Sequence, residues 1–327
     1  MVLVTGGAGY IGSHVCKLLR ERRIDHVVFD NLERGHQRAA GKSSVFFGDV
    51  RDRVSLDRLF SEFDIDLVMH FAAYIEVGES IEKPSQFYRN NVGGTLNLLE
   101  AMTRANIDKL VFSSTAAVYG EPEYTPIDEQ HPKNPTSPYG RSKWMVEQML
   151  DDFDTAYGLR SVRLRYFNAA GADPDGRLGE DHRPETHLIP RILMAASGKA
   201  DGFKIYGTDY DTPDGTCVRD YIHVMDLADA HLRAMDSLKD QGGSDAFNLG
   251  NGEGFSVRQV LDVAQKVVGK DIPAAESDRR PGDPAVLVAS SDKIRSQLEW
   301  TPQFADLETI VGHAWQWMSE FPEGYDR

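Results

Sequence analysis

Val4-Thr5-Gly6-Gly7-Ala8-Gly9-Tyr10-Ile11-Gly12 opens a chain of 327 residues and decides how the rest is read. Met1 to Val4 is a short apolar run, too short for a helix and placed like the end of a first β-strand. After the glycines, His14-Val15-Cys16-Lys17-Leu18-Leu19 has helical spacing. The glycines therefore sit on a strand-to-helix turn. Such a turn needs residues without Cβ, so that the backbone can bend and a pyrophosphate can approach the amide N–H groups. The helix N-terminus adds partial positive charge at the same place. On its own a glycine run of this kind is only a tight turn. The next apolar run, Val27-Val28-Phe29, ends in Asp30, about 20 residues on, where a dinucleotide site keeps its ribose-binding acid. Asp30 would accept from the adenosine ribose hydroxyls and repel a 2′-phosphate. NAD, rather than NADP, is the expected cofactor.

Outward from this turn, short apolar runs alternate with amphipathic stretches. The polar stretch Asn31 to Ser44 reads as a loop over the cofactor. Val45-Phe46-Phe47 is a short strand ending at Gly48-Asp49-Val50, and Leu56, Leu59, Phe60 and Phe63 mark a short helix. Leu67-Val68-Met69-His70-Phe71 is a fourth strand that runs into Ala72-Ala73. Small residues at the carboxyl end of a strand suit a cofactor lying across an open parallel sheet, although close packing also selects them. Pro84 opens a long helical segment to about Asn106. Leu110-Val111-Phe112 forms a fifth strand, closed by Ser113-Ser114-Thr115. Val162 to Leu164 is a sixth, leading to Tyr166-Phe167-Asn168. The pattern predicts an α/β fold, a Rossmann-type doubly wound parallel sheet with a smaller C-terminal α/β substrate domain.

The polar, glycine- and proline-containing stretch Ala169 to Pro184 marks the expected domain change. The NAD-binding domain is expected over 1–168 and the substrate domain over 169–327, with 218–250 packing back onto the first. Val218 to Val224 reads as one strand and Asp226 to Leu238 as a helix. Ser256 caps a helix to about Val268.

Net charge is −15, with no block of lysine or arginine. Such a surface repels nucleic acid and anionic membranes, so neither is an expected partner. An anionic substrate would then need a local cluster of cations. No apolar run approaches the ~18 residues of a membrane span. The chain starts directly on a strand, without a charged n-region or an apolar h-region. Cys16 and Cys217 do not read as a disulfide framework. The expected compartment is the cytoplasm, and no metal is expected.

Tyr139 and Lys143 are four apart, so on a helix they point the same way. A free tyrosine titrates near ~10. A neighbouring ammonium and the positive nicotinamide ring favour the phenolate and are expected to lower that value. A lowered tyrosine can take a proton from a substrate hydroxyl. Thr115 ends the fifth strand, so its hydroxyl faces the same crevice and can hydrogen-bond the substrate oxygen. Strand-end capping is the plainer use of that hydroxyl.

Together, T-G-x-x-G-x-x-G, the serine-threonine strand end and Y-x-x-x-K resemble the extended short-chain dehydrogenase/reductase superfamily. Asp49-Val50, Phe71-Ala72-Ala73, Val77-Gly78-Glu79-Ser80, Asn90-Asn91-Val92, Ser137-Pro138-Tyr139-Gly140 and Arg165-Tyr166-Phe167-Asn168 extend the match along nearly the whole chain. With Asp214-Gly215-Thr216-Cys217-Val218-Arg219-Asp220-Tyr221-Ile222-His223-Val224, the most specific of these stretches, they are similar to the UDP-glucose 4-epimerase family.

The resemblance implies a retained NAD and an internal redox cycle that interconverts UDP-glucose and UDP-galactose. Tyr139 takes the proton from the sugar 4-hydroxyl as C4 is oxidised. The 4-keto sugar turns about its phosphate bond, and re-reduction inverts C4. Tyr139, Lys143 and Thr115 carry the catalysis. The cofactor lies against Gly6, Gly9, Tyr10, Ile11 and Gly12, with Asp30, Asn31, Asp49 and Val50 at its adenosine end. Phe71, Ala72, Ala73, Asn90, Ser113 and Phe167 complete its bed, together with Tyr139 and Lys143. The UDP-sugar takes Arg219 and Arg280 at the diphosphate, with Asn168 beside them, Asp283 at the uridine ribose and Tyr206 by the uracil. Thr115, Tyr139, His187 and Leu188 also line its site. Leu287 holds the position that gates the sugar pocket; leucine is intermediate between a ring that admits plain hexoses and a small residue that admits N-acetylhexosamines. Helices beginning at Pro84 and Tyr139 resemble those that pair in family dimers, so a homodimer is expected.

The sequence departs from the family at Ile75, where some members carry lysine near the phosphates, and at His187, where others have asparagine. Thr115 replaces a serine. A 4-epimerase of another UDP-sugar (N-acetylhexosamine, pentose or uronate) is the alternative. A nucleotide-sugar dehydratase is disfavoured, because relatives doing that chemistry carry an acid directly after the strand-end hydroxyl. Here Ala116-Ala117 follow, and alanine cannot move a proton.

Overall fold

The period of two within each strand gives the central sheet two buried faces. In β1 (Val2–Thr5), Val2 and Val4 join one core while Leu3 joins the other. β2 (His26–Asp30) places Val28 on the first face and Val27 and Phe29 on the second. β3 (Ser44–Phe47), β4 (Leu67–His70), β5 (Lys109–Thr115) and β6 (Arg160–Tyr166) continue the sheet. With the strand Asp245–Leu249 these form seven parallel strands in the order Asp245–Leu249, β6, β5, β4, β1, β2, β3. The order reverses between β1 and β4, and a crevice opens there at the carboxyl ends of the strands. The computed structural model describes residues 1–240, 242–280 and 283–325.

Helices cover both faces. α1 (Tyr10–Glu21) brings Val15, Cys16 and Leu19 to the Val2–Val4 face. α2 (Arg53–Glu62) brings Leu56 and Leu59 to the Leu3 face. α3 (Val77–Glu82) and α4 (Pro84–Phe87) lead into a π-helical run, Tyr88–Gly94, and then α5 (Thr95–Arg104). The sequence suggests one uninterrupted helix here. The Thr95 hydroxyl instead donates 2.6 Å back to the Asn91 carbonyl, and the wider turn sets Asn90 on the crevice wall. α6 (Pro138–Tyr157) closes the same face with Val146 and Leu150. Its start is set by Pro138 in the first turn and by the Ser137 hydroxyl, which accepts from the Gly140 amide at 3.1 Å.

The chain then builds a second core around α7 (Leu188–Ala196) and the helices Val257–Val268 and Leu307–Glu320. It returns to the sheet through α8 (Val224–Lys239), which packs beside α1, and through Asp245–Leu249, which pairs with β6. Val218 to Val224 is not one strand. Val218–Arg219 and Tyr221–His223 pair in different sheets. Asp220 breaks them apart because its buried carboxylate accepts from the amides of Asn251 (2.8 Å), Gly252 (3.1 Å) and Ala289 (3.2 Å). Cys16 and Cys217 are buried free thiols. Among the described residues no helix is long and apolar enough to cross a membrane.

Candidate active site

The crevice is a cleft of about 1290 Å³ between the sheet and the second core. Its floor is the glycine turn. Gly6 has φ +73°, and a Cβ there would lie 2.6 Å from the Ala72 amide nitrogen. A Cβ on Gly12 would lie 2.3 Å from the Gly6 carbonyl oxygen. Both neighbours are backbone and cannot move aside. Gly9 caps α1 without a side-chain hydrogen bond, and the first turn carries no acid, so the helix amides are free to meet an anion. The donor set and the shape fit a dinucleotide pyrophosphate. Tyr10 and Ile11 also line the cleft, but the Tyr10 hydroxyl turns away and donates to the Gly171 carbonyl at 2.7 Å.

Asp30, at the end of β2, accepts from the Ala8 amide (3.0 Å) and the Leu32 amide (2.9 Å). Burial raises its pKa. Beyond it, Asn31 donates 2.9 Å to Asp49, whose carboxyl is held down at about 2 by the Arg51 guanidinium. Val50, Phe71, Ala72, Ala73, Asn90 and Phe167 form the cleft wall. Ser113 lines it too, with its hydroxyl bonded to that of Tyr166.

Tyr139 and Thr115 face this bed from α6 and β5. Lys143 does not reach the cleft surface. It is buried one turn below Tyr139 and donates 2.8 Å to the Ser113 carbonyl, 4.8 Å above the Phe112 ring. Its pKa is lowered to about 7 by burial. The Tyr139 phenol is pushed up to about 12, again by burial, against a hydrogen-bonding contribution from Thr115. This corrects the expectation that the neighbouring ammonium brings the phenol down. Desolvation dominates both groups, and the Lys143 ammonium is turned to the Ser113 carbonyl rather than to the phenol. The Thr115 hydroxyl also accepts from the Ala117 amide at 3.1 Å, so it does cap the strand end.

The far wall gathers Asn168, His187, Leu188, Tyr206, Arg219, Arg280, Asp283 and Leu287. Asn168 donates to the Asp220 carbonyl at 2.9 Å. Arg219 pairs with Asp283 and donates 2.7 Å to the Pro284 carbonyl. The Arg280 guanidinium stacks 4.1 Å over the Tyr206 ring. His187 precedes the N-terminus of α7 and Leu188 begins it. Leu287 packs among Ala116, Val118, Tyr119 and Phe167. Ile75 lines the cleft as well.

Sequence reasoning missed Glu180, His182 and Glu185. They gather with His187 on the cleft-side loop, with donor atoms all within 4.8 Å of one another. The spacing E-x-H-x-x-E-x-H within eight residues was the available signal. It missed Arg34 too, which pairs with Glu79 at 2.9 Å and donates 3.3 Å to the Arg183 carbonyl, joining opposite walls of the cleft.

This glycine turn, strand-end acid and buried Tyr–Lys pair are those of a dinucleotide-binding enzyme of the short-chain dehydrogenase/reductase type. Residues 2–250 match the NAD dependent epimerase/dehydratase family. A UDP-glucose 4-epimerase of Halalkalibacterium halodurans is 53% identical over 99% of this chain and 97% of its own length. One from Rhizobium meliloti is 53% identical over 99% and 98%. A solved UDP-glucose 4-epimerase from Brucella ovis, in complex with NAD, superposes with a TM-score of 0.94 at 49% identity, covering 96% of this chain and 97% of that one. The chain belongs to the NAD dependent epimerase/dehydratase family and, within it, to the UDP-glucose 4-epimerases.

Proposed function

We propose that this cleft interconverts UDP-glucose and UDP-galactose by inversion at C4 through a 4-keto sugar. The observation that carries the reading is the placement of Tyr139 and Thr115 opposite the glycine cradle, with Lys143 buried behind them. Gly6, Gly9 and Gly12 hold the pyrophosphate of NAD, and Asp30 its adenosine ribose. Bound NAD would supply the hydride acceptor and donor for C4 and a positive ring beside the phenol. Tyr139 takes the 4-hydroxyl proton and, once the sugar has turned, returns it to the same oxygen, while Thr115 hydrogen-bonds that oxygen. Arg219 and Arg280 hold the diphosphate, since a guanidinium fork pairs with two phosphate oxygens at once. Asn168, His187 and Leu188 border it, Asp283 takes the uridine ribose and Tyr206 the uracil. Leu287 faces the sugar.

Residues 1–168 serve as the cofactor domain and 169–327 as the nucleotide-sugar domain. Two chains pair through the outer faces of α5 and α6, where Leu96 and Met145 are exposed; light scattering that returns a monomer mass would refute this. The reduced, buried cysteines suit a cytoplasmic enzyme.

The deciding experiment is conversion of UDP-galactose by the purified protein with no NAD added. Appearance of UDP-glucose is expected. No conversion, even after NAD is supplied, would overturn the reading.

A further inference from the structure

We propose that Glu180, His182, Glu185 and His187 form a binding site for a divalent transition-metal ion, zinc above all, in the loop that walls the cleft. The donors converge from both histidines and both acids. The Nδ1 of His187 lies 2.6 Å from Glu180 and 3.2 Å from Glu185. That of His182 lies 3.0 Å from Glu180 and 3.9 Å from Glu185. Tetrahedral zinc with bonds of about 2.0–2.1 Å needs ligand atoms about 3.3 Å apart, and these separations straddle that spacing. Two imidazoles and two carboxylates are a zinc-type donor set, and the two negative charges match one dication.

A second observation points the same way. His187 Nδ1 is fully buried and makes no well-formed hydrogen bond, although a carboxylate is within reach. Outer contacts already fix the donors. The Glu185 carboxylate accepts from the amides of Thr186 (2.7 Å) and His187 (2.8 Å). The Tyr10 ring stands edge-on to His182 at 6.2 Å. Such outer partners orient metal ligands.

Four protein ligands leave no open position, so the ion is structural. It would clamp the loop between two points of the cleft. One is the stretch after β2, where His36 contacts the Asp181 carbonyl at 2.9 Å. The other is the start of α7 at His187. The inference stands independently of which sugar the cleft accepts.

The test uses untagged, NAD-loaded protein. It is stripped with a chelator, incubated with Zn²⁺, gel-filtered and assayed by mass spectrometry for metal. About one zinc per chain is expected, with a raised melting temperature. His182→Gln and Glu185→Gln should each weaken zinc binding by more than the ~10–100-fold that loss of an outer partner costs. Wild type retaining no more zinc than His182→Gln would overturn the proposal and leave protons alone to balance the carboxylates. Should the variants unfold, Co²⁺ added to wild type gives a second reading. The visible d–d bands of a tetrahedral site support the proposal, and their absence overturns it.

Discussion

Replacing Lys143 with methionine keeps the side-chain volume and removes the ammonium one turn below Tyr139. On the protein's own groups the phenol titrates at about 12, so at pH 7 only about one in 10⁵ is ionised. Bringing it to neutrality requires about 7 kcal/mol of preference for the phenolate, at about 1.36 kcal/mol per unit. Cβ atoms four apart on a helix lie about 5–6 Å from one another, and a full ammonium charge at about that range, at an effective dielectric near 20, contributes at most about 3 kcal/mol, or about 2 units. Burial lowers Lys143 to about 7, so about half of that charge is present at pH 7 and it fades above. Lys143→Met should therefore cut turnover by up to about 100-fold below pH 7, with the deficit closing as pH rises and the wild-type ammonium is itself lost. The assay is UDP-glucose formation from UDP-galactose over pH 6 to 10. NAD released on denaturation is measured in parallel, to separate proton transfer from cofactor retention. A variant that keeps its NAD yet loses activity equally at every pH, or loses none, would refute the electrostatic account.

Three further outcomes are expected. Glu147 is fully buried, accepts from Ser114 at 2.5 Å and pairs with buried Arg165 at 2.5 Å, so Glu147→Gln should cost about 3–5 kcal/mol by stranding the guanidinium; a urea-unfolding loss under about 1 kcal/mol would contradict this. Gly12→Ala sets a methyl against the Gly6 carbonyl, and should yield protein that purifies without NAD; normal cofactor content would be inconsistent with the close approach. Burial depresses six histidines among the described residues, four of them far, His14 and His231 to about 4 and His70 and His223 to about 3. The unfolded chain takes up these protons near 6.5 and the folded one does not, so stability present above that value falls as pH drops toward 4 and 3. Each histidine adds about 1 kcal/mol per pH unit to the slope. Urea midpoints at pH 7.5 and 5.5 measure it, and His231→Gln should flatten it by about one proton.

The sheet was legible because its signals are local. Val2 to Val4, Val27 to Phe29 and Leu110 to Phe112 are apolar runs too short for helices, each followed by a residue suited to a crevice. The Tyr139–Lys143 spacing was legible for the same reason. What escaped depends on distant partners. The break at Asp220 is made by amides of Asn251, Gly252 and Ala289, which no window of sequence contains. The π-helical run ends at Thr95, whose hydroxyl bonds back to Asn91 and also meets His70 from the sheet. The phenol's raised pKa comes from burial by the whole fold, which spacing does not report. The strand Asp245–Leu249 lay inside a stretch expected to return to the first domain, but its place at the sheet's edge is a tertiary choice.

That last strand bears on how the protein is made and inherited. A chain emerging from the ribosome completes β1 to β6 while the outer edge of β6 still lacks its neighbour. That edge exposes unpaired backbone groups until Asp245–Leu249 and α8 arrive. A fragment ended at residue 168 should therefore be sticky rather than independently soluble. Recombination between relatives meets the same constraint: a crossover between the two halves has to bring with it an edge strand that pairs with β6.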